Sequence, residues 1–187
     1  MSSFALNREK FDRLVHYVIA TCPDLAKLGT TKLQKIIWKS DTGTYKLEKR
    51  PITGAVYKKR QYGPATDELW LGLDRLKKAG MIDYWRDEGF ANNRAKDVYK
   101  NLAKPDVSFL SDSQKKTVDY WAREICLKHT AESISDETHG FAWDISRMGE
   151  VMPLFTVFVD ELPEEPDPEA LEWANSEVRR LVARGVL

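Results

Sequence analysis

The stretch TKLQKIIWKSDTGTYKLEKRPITGAVYKKRQYGPATDELWLGLDRLKKAGMI, residues 31–82, decides how the chain is read. It opens as a helix starting near Thr30 or Thr31, with Leu33, Ile36 and Ile37, then Thr44 and Leu47, on one face. Asp41 falls one turn after Ile37, at the margin of that stripe, where a carboxylate needs a partner or water. Residues 51–65 are too polar for a core strand and too punctuated for a helix. Pro51, Gly54, Gly63 and Pro64 frame Tyr57, Tyr62 and the basic run Lys58, Lys59, Arg60. Turn residues around aromatics and cations predict a structured loop, and loops held on a rigid scaffold are where binding residues gather. A further helix is predicted from about Pro64 to Ala79, burying Leu69, Leu73 and Leu76. Pro64 suits its first turn and Gly80 its C-terminal cap.

Working outward, Phe11, Leu14, Val15, Val18, Ile19 and Cys22 make the stripe of an amphipathic helix with Asn7 as N-cap and Pro23 as its end. His16 sits beside that stripe and is read as structural. After Gly80, Ile82 and Tyr84 lead into the charged tip RDEGFANNR, and Val98 and Leu102 return, which predicts a hairpin. A helix, then a strand and a charged hairpin, is the outline of a winged helix-turn-helix. Ser111 is the expected N-cap of a helix over 111–128 that buries Val118, Trp121, Ala122 and Ile125, followed by a short helix near Ala131–Thr138. The last segment opens with acids and prolines and closes as a helix through Leu171, Val178 and Val182. The expected class is mainly α with a small β-hairpin. Residues 1–159 are expected to form one domain, with the acidic segment and helix of 160–187 packed upon it.

With 187 residues, 42% of them hydrophobic, the chain can bury a real core. No apolar run approaches a membrane span and no secretory leader is evident, so a cytoplasmic location is expected. The zero net charge is divided. Residues 1–104 carry 21 Lys and Arg against 12 Asp and Glu, and residues 105–187 carry 8 against 17, so the halves stand at +9 and −9. Such poles can steer partners or hold the halves together. Cys22 and Cys126 lie at apolar positions outside any C-x-x-C, which favours buried thiols over a disulfide or a metal site.

Signatures of catalysis are missing: there is no G-x-S-x-G, phosphate loop or dinucleotide fingerprint. His129 and His139 match no common zinc spacing with Asp136 or Asp144. Glu132, Asp136, Glu137 and Asp144 read as a hydrophilic helix face and its following turn. No enzyme activity, cofactor or metal is expected.

The K-L-Q-K-I-I-W helix, the P-I-T-G-A-V-Y loop and the Q-Y-G-P that follows resemble, in that order, the Panacea domain family, the SocA-like antitoxins of bacterial and phage toxin–antitoxin systems. ISDETHGFAWDIS, residues 134–146, resembles the family's later segment with its histidine and tryptophan. Trp38-Lys39-Ser40 departs from the family's aromatic-aliphatic-Ala run. The resemblance implies a compact helical domain in which Leu33, Asp41, Gly54, Tyr57, Tyr62, Gly63, Pro64, His139 and Trp143 form the framework. His139 and Trp143 are expected to make a polar pair on one face, with His139 bonded to Asp41 or a backbone carbonyl.

It also implies binding in place of catalysis. The expected partner is a cognate protein toxin encoded nearby, either blocked directly or delivered to a cytoplasmic AAA+ protease. Arg60, Trp85, Phe90 and Arg94 are the candidate toxin contacts. The alternative is a DNA-binding regulator of its own operon, with the 64–79 helix in the major groove. Asp67, Glu68 and Asp74 offset Arg75, Lys77 and Lys78 there, a poor balance for facing a polyanion.

Overall fold

The computed structural model of the chain describes residues 4–89, 95–161 and 167–183. Helix α1 (Arg8–Thr21) starts where the sequence places it, with the Asn7 side chain accepting from the Lys10 N–H at 3.0 Å. Phe11, Leu14, Val15, Val18 and Ile19 are fully buried. Each such side chain contributes about 1.5–3 kcal/mol of transfer free energy. His16 is buried as well and meets Asn101 Oδ1 at 3.0 Å, a structural role.

A 3₁₀ turn (Leu25–Lys27) leads into α2 (Gly29–Glu48), the central element. Every side chain from Lys32 to Trp38 is buried, so α2 is covered on all sides in place of the single face the periodicity implied. Leu47, expected on the buried face, is exposed.

Two three-residue strands follow, β1 (Lys58–Arg60) and β2 (Gly63–Ala65), paired Lys58↔Ala65 to Arg60↔Gly63. Pro64 therefore lies in a strand opposite Lys59, and α3 (Glu68–Lys78) begins one turn later than predicted. The Gln34 amide explains the delay. It donates to Thr66 O at 2.9 Å and accepts from Thr66 N at 3.0 Å, holding residues 63–66 extended against α2. Leu69, Leu73 and Leu76 of α3 are buried, and Gly80, at φ +69°, follows the helix end as expected.

The second hairpin pairs β3 (Ile82–Asp87) with β4 (Lys96–Asn101) in the register Ile82↔Asn101 to Asp87↔Lys96. Phe90 and Arg94, two of the candidate toxin contacts, lie outside the described residues.

Helix α4 (Asp112–Lys128) carries a complete capping box between Ser111 and Gln114, and α5 (Ala131–Glu137) one between Thr130 and Ser133. Short α6 (Phe141–Ile145), a 3₁₀ helix (Leu154–Glu161) and α7 (Pro168–Ala183) complete the chain. The result is mostly helical with two small antiparallel hairpins, one more than the sequence announced. Cys126 is buried inside α4 and Cys22 follows the end of α1, their sulfurs 2.6 Å apart. The ion pairs Arg13–Asp106 and Lys39–Glu137 join the basic half of the chain to the acidic half. No helix among the described residues is long and apolar enough to cross a membrane.

Candidate functional site

Residues 51–65 are held by one carboxylate. Asp41 is completely buried. Its Oδ1 accepts from Thr53 N at 2.9 Å, and its Oδ2 accepts from the Tyr57 hydroxyl at 2.8 Å and from the Thr53 hydroxyl. Burial pushes the Asp41 carboxyl above the usual carboxylate range, while the bonds from Thr53 and Tyr57 pull the other way. The Tyr57 ring meets Trp38 edge to face, centroids 4.7 Å apart. The spacing P-I-T-G-x-x-Y thus brings three donors, from two residues four apart, onto a single carboxylate on α2. Gly54 completes the bend at φ +70°, where a Cβ would stand 2.5 Å from Ala5 O. Asp41 is therefore a core residue, not a marginal one, and it is Thr53 and Tyr57, not His139, that satisfy it.

The hairpin β1–β2 projects from this brace. Gly63, at φ +89°, sits over the Lys35 ammonium and Thr138. A Cβ there would stand 2.5 Å from Thr138 Oγ1 and closer still to Lys35 Nζ. Gly63→Ala combines a left-handed backbone with two contacts and is expected to lower stability by about 3 kcal/mol, read as a shifted denaturant midpoint with an unchanged slope. Tyr62, at the hairpin tip, is 59% exposed. It belongs to the outer surface, against its expected place in the framework, because the two-residue turn carries it past the helices.

The later motif segment packs against the same hairpin. His139 stacks on Trp143 with centroids 3.7 Å apart and planes at 12°, so the expected pair forms, though by ring stacking. On the other side, Lys59 Nζ stands 3.8 Å from the Trp143 ring centre. Trp143 Nε1 donates to Arg60 O at 3.2 Å. Burial and the nearby Lys35 lower the His139 pKa, and its Nε2 is buried with no hydrogen-bond partner among the described residues. Residues 149–152 run along β1, with Lys59 N donating to Glu150 O at 2.8 Å and Met152 N to Tyr57 O at 2.8 Å. Segments some 80 residues apart in sequence therefore pack together into one surface region, and Tyr62, Phe141 and Ile145 of these segments are exposed.

Two concavities flank this surface. The larger, about 350 Å³, lies between α2, α4 and α6 and is walled by Trp38, Trp121 and Trp143. Lys39 belongs to its lining, bonded to Glu137 at 2.9 Å and 4.8 Å from the Trp121 ring centre. The smaller lies beside the first turns of α2 and has Lys35, Arg60, Tyr62 and Gly63 among its lining residues. Lys35 is only 1% exposed, and burial, followed by the charge of Lys39, brings its pKa down to about 7. A buried amine without a carboxylate partner costs stability, which marks functional sites more often than structural ones. The sequence reading missed Gln34, Lys35, Thr53 and Thr66. For Lys35 a signal existed, since it falls between Leu33 and Ile36 in a helix whose neighbours are all apolar or motif residues.

Of the other candidates, Arg60 is exposed and paired with Asp67 at 2.5 Å, and Trp85 stands 45% exposed on β3. Two of the three cations of α3, Arg75 and Lys77, are engaged. Arg75 donates to both Asp12 oxygens at 2.7 Å and to Glu68 at 2.5 Å, and Lys77 pairs with Asp83 at 2.7 Å. His129 contacts Ser133 and Glu137, apart from the His139 stack. Among the described residues no three His, Cys, Asp or Glu side chains cluster as a metal would require.

Compared with known proteins, residues 33–144 match the family described as antitoxin SocA-like, Panacea domain. That span contains the α2 brace, both hairpins and the His139–Trp143 stack. No curated protein and no solved structure gives a significant match.

Proposed function

The chain belongs to the SocA-like antitoxin family of the Panacea domain, and we propose that it neutralises a protein toxin by binding it directly through the face built from residues 57–65 and 139–145. The observation that carries this reading is the interlock of the two motif segments. The Lys59–Trp143–His139 stack and the Trp143–Arg60 bond fix the backbone beneath Tyr62, Phe141 and Ile145, which stay exposed. Exposed aromatic and apolar side chains on a rigid under-layer are what the centre of an interface needs, because little freedom is lost on docking. A contact of about 800 Å² on each partner would extend past this patch, toward Trp85 and the β3–β4 hairpin.

Co-expression with the product of the adjacent open reading frame tests the function. The neighbour alone should arrest growth, and this chain should restore it and co-purify. If rescue needs the host's AAA+ protease and the toxin disappears, the chain acts as a delivery adaptor. A harmless neighbour would sink the antitoxin reading. At the level of residues, Tyr62→Ala and Phe141→Ala are each expected to weaken the complex 10- to 100-fold without changing the cooperativity of unfolding, and Trp85→Ala to weaken it less.

The order α3, β3, β4 supports a second reading, a winged element on DNA. It is the weaker one, since Arg75 and Lys77 are already held by Asp12, Glu68 and Asp83. Binding to the protein's own promoter with a steep salt dependence would revive it.

A further inference from the structure

A pocket of about 130 Å³ opens between the first two turns of α2 and the β1–β2 hairpin, lined in part by Thr31, Gln34, Lys35, Arg60, Tyr62 and Gly63. A water occupies about 30 Å³ of liquid, so this space suits a group of carboxylate or phosphate size. Its walls are rich in donors. Helix α2, whose N-cap Leu28 makes no side-chain cap bond, brings Thr30 and Thr31 of its positively polarised first turn to the pocket wall. Arg60 and the Tyr62 phenol stand on the hairpin side.

Lys35 is the decisive member. Its ammonium donates to Pro64 O at 3.1 Å, and among the described residues that carbonyl is its one acceptor. The titratable groups around it are Lys39 on its own helix, His139 beyond α5, and Arg60 and Tyr62 on the hairpin. The carboxylates of the region have other partners: Glu137 holds Lys39 and His129, Asp67 holds Lys58 and Arg60, and Asp97 holds Arg86 and the hydroxyl of Thr30 on the pocket wall. A buried amine without a carboxylate partner, in a pocket that Arg60 and the Tyr62 phenol also line, is matched in charge by an anion.

We propose that this pocket is an oxyanion receptor, and that the group it receives is a carboxylate side chain of the toxin. The identity of the occupant rests on the function proposed above; the oxyanion chemistry does not. On arrival the carboxylate accepts from Lys35, with Arg60 and Tyr62 beside it, and the amine that burial keeps near half-protonated at neutral pH takes up a proton.

The test follows the titration of the Lys35 side chain by NMR in protein carrying ¹³C-labelled lysine, with Lys35→Met assigning the signal. Buffers contain chloride alone, acetate or inorganic phosphate, and a further sample holds the toxin complex. The expected result is a midpoint that rises by at least one pH unit in acetate and in the complex, equivalent to a tenfold preference of the anion for the protonated protein. Lys35→Met should also lose at least tenfold in toxin affinity while remaining folded. A rise in phosphate but not in acetate or the complex would keep the anion site and reject the toxin carboxylate as its occupant. A midpoint that no anion and no toxin moves would overturn the proposal. A failure of the antitoxin reading leaves the acetate and phosphate samples to decide the site by themselves.

Discussion

Lys35→Met is expected to stabilise the protein at neutral pH by about 3 kcal/mol while weakening its hold on the toxin. The cost of the native lysine follows from its titration. A midpoint brought from 10.5 to about 7 by burial corresponds to a penalty of at most about 5 kcal/mol when the amine is charged. Methionine keeps the length and removes the charge; the lost bond to Pro64 and imperfect packing return about 1 kcal/mol each. Because the folded-state pKa is depressed, the native state binds fewer protons than the unfolded chain between pH 7 and 10.5. Wild-type stability therefore rises with pH across that window. The advantage of Lys35→Met is full below pH 7 and closes by pH 10.5. Chemical denaturation of both proteins at pH 6, 8 and 10.5 reads this directly. A variant less stable than wild type at pH 6 would show that the amine is already compensated.

Asp41→Ala is expected to act in the opposite direction, lowering stability by about 4 kcal/mol. It strips the acceptor from Thr53 N, the Thr53 hydroxyl and the Tyr57 hydroxyl at once, in a position without water access, and each unsatisfied buried donor costs about 1–3 kcal/mol. Asp41→Asn retains an acceptor for Thr53 N and should lose less than half as much. The two also differ in pH dependence. Burial raises the Asp41 pKa, so its stabilising share is complete below the unfolded value of 3.8 and is lost as pH rises through the higher folded value. Asp41→Asn should lack that decline. Residues 51–57 hang on this brace, so the alanine variant should lose the β1–β2 hairpin first, seen as exchange of its amides before global unfolding.

The helical frame was legible because it is written locally. Asn7, Ser111 and Gly80 mark ends by their own chemistry, and the stripe from Phe11 to Ile19 needs only one turn's periodicity. The β1–β2 hairpin was not, since strands of three residues are too short for a period of two and their pairing is set by Gln34 on another element. Burial on α2 escaped for a related reason. Periodicity assigns lysine and aspartate to water, whereas α2 is enclosed by α1, α4, α5 and the hairpins and forces Lys35 and Asp41 inside. The framework glycines, Tyr57, His139 and Trp143 were legible through the family's motifs. Their joining into one face was not, because contacts between residues 60 and 143 leave no mark in either segment alone.

Amide hydrogen exchange on the purified complex tests the proposed face most directly. Residues 57–65 and 139–152 should exchange more slowly with the toxin bound than without it, with the largest change at the tip around Tyr62. Protection confined to α3, to β3–β4 or to α7, with residues 57–65 and 139–152 unchanged, would contradict the account.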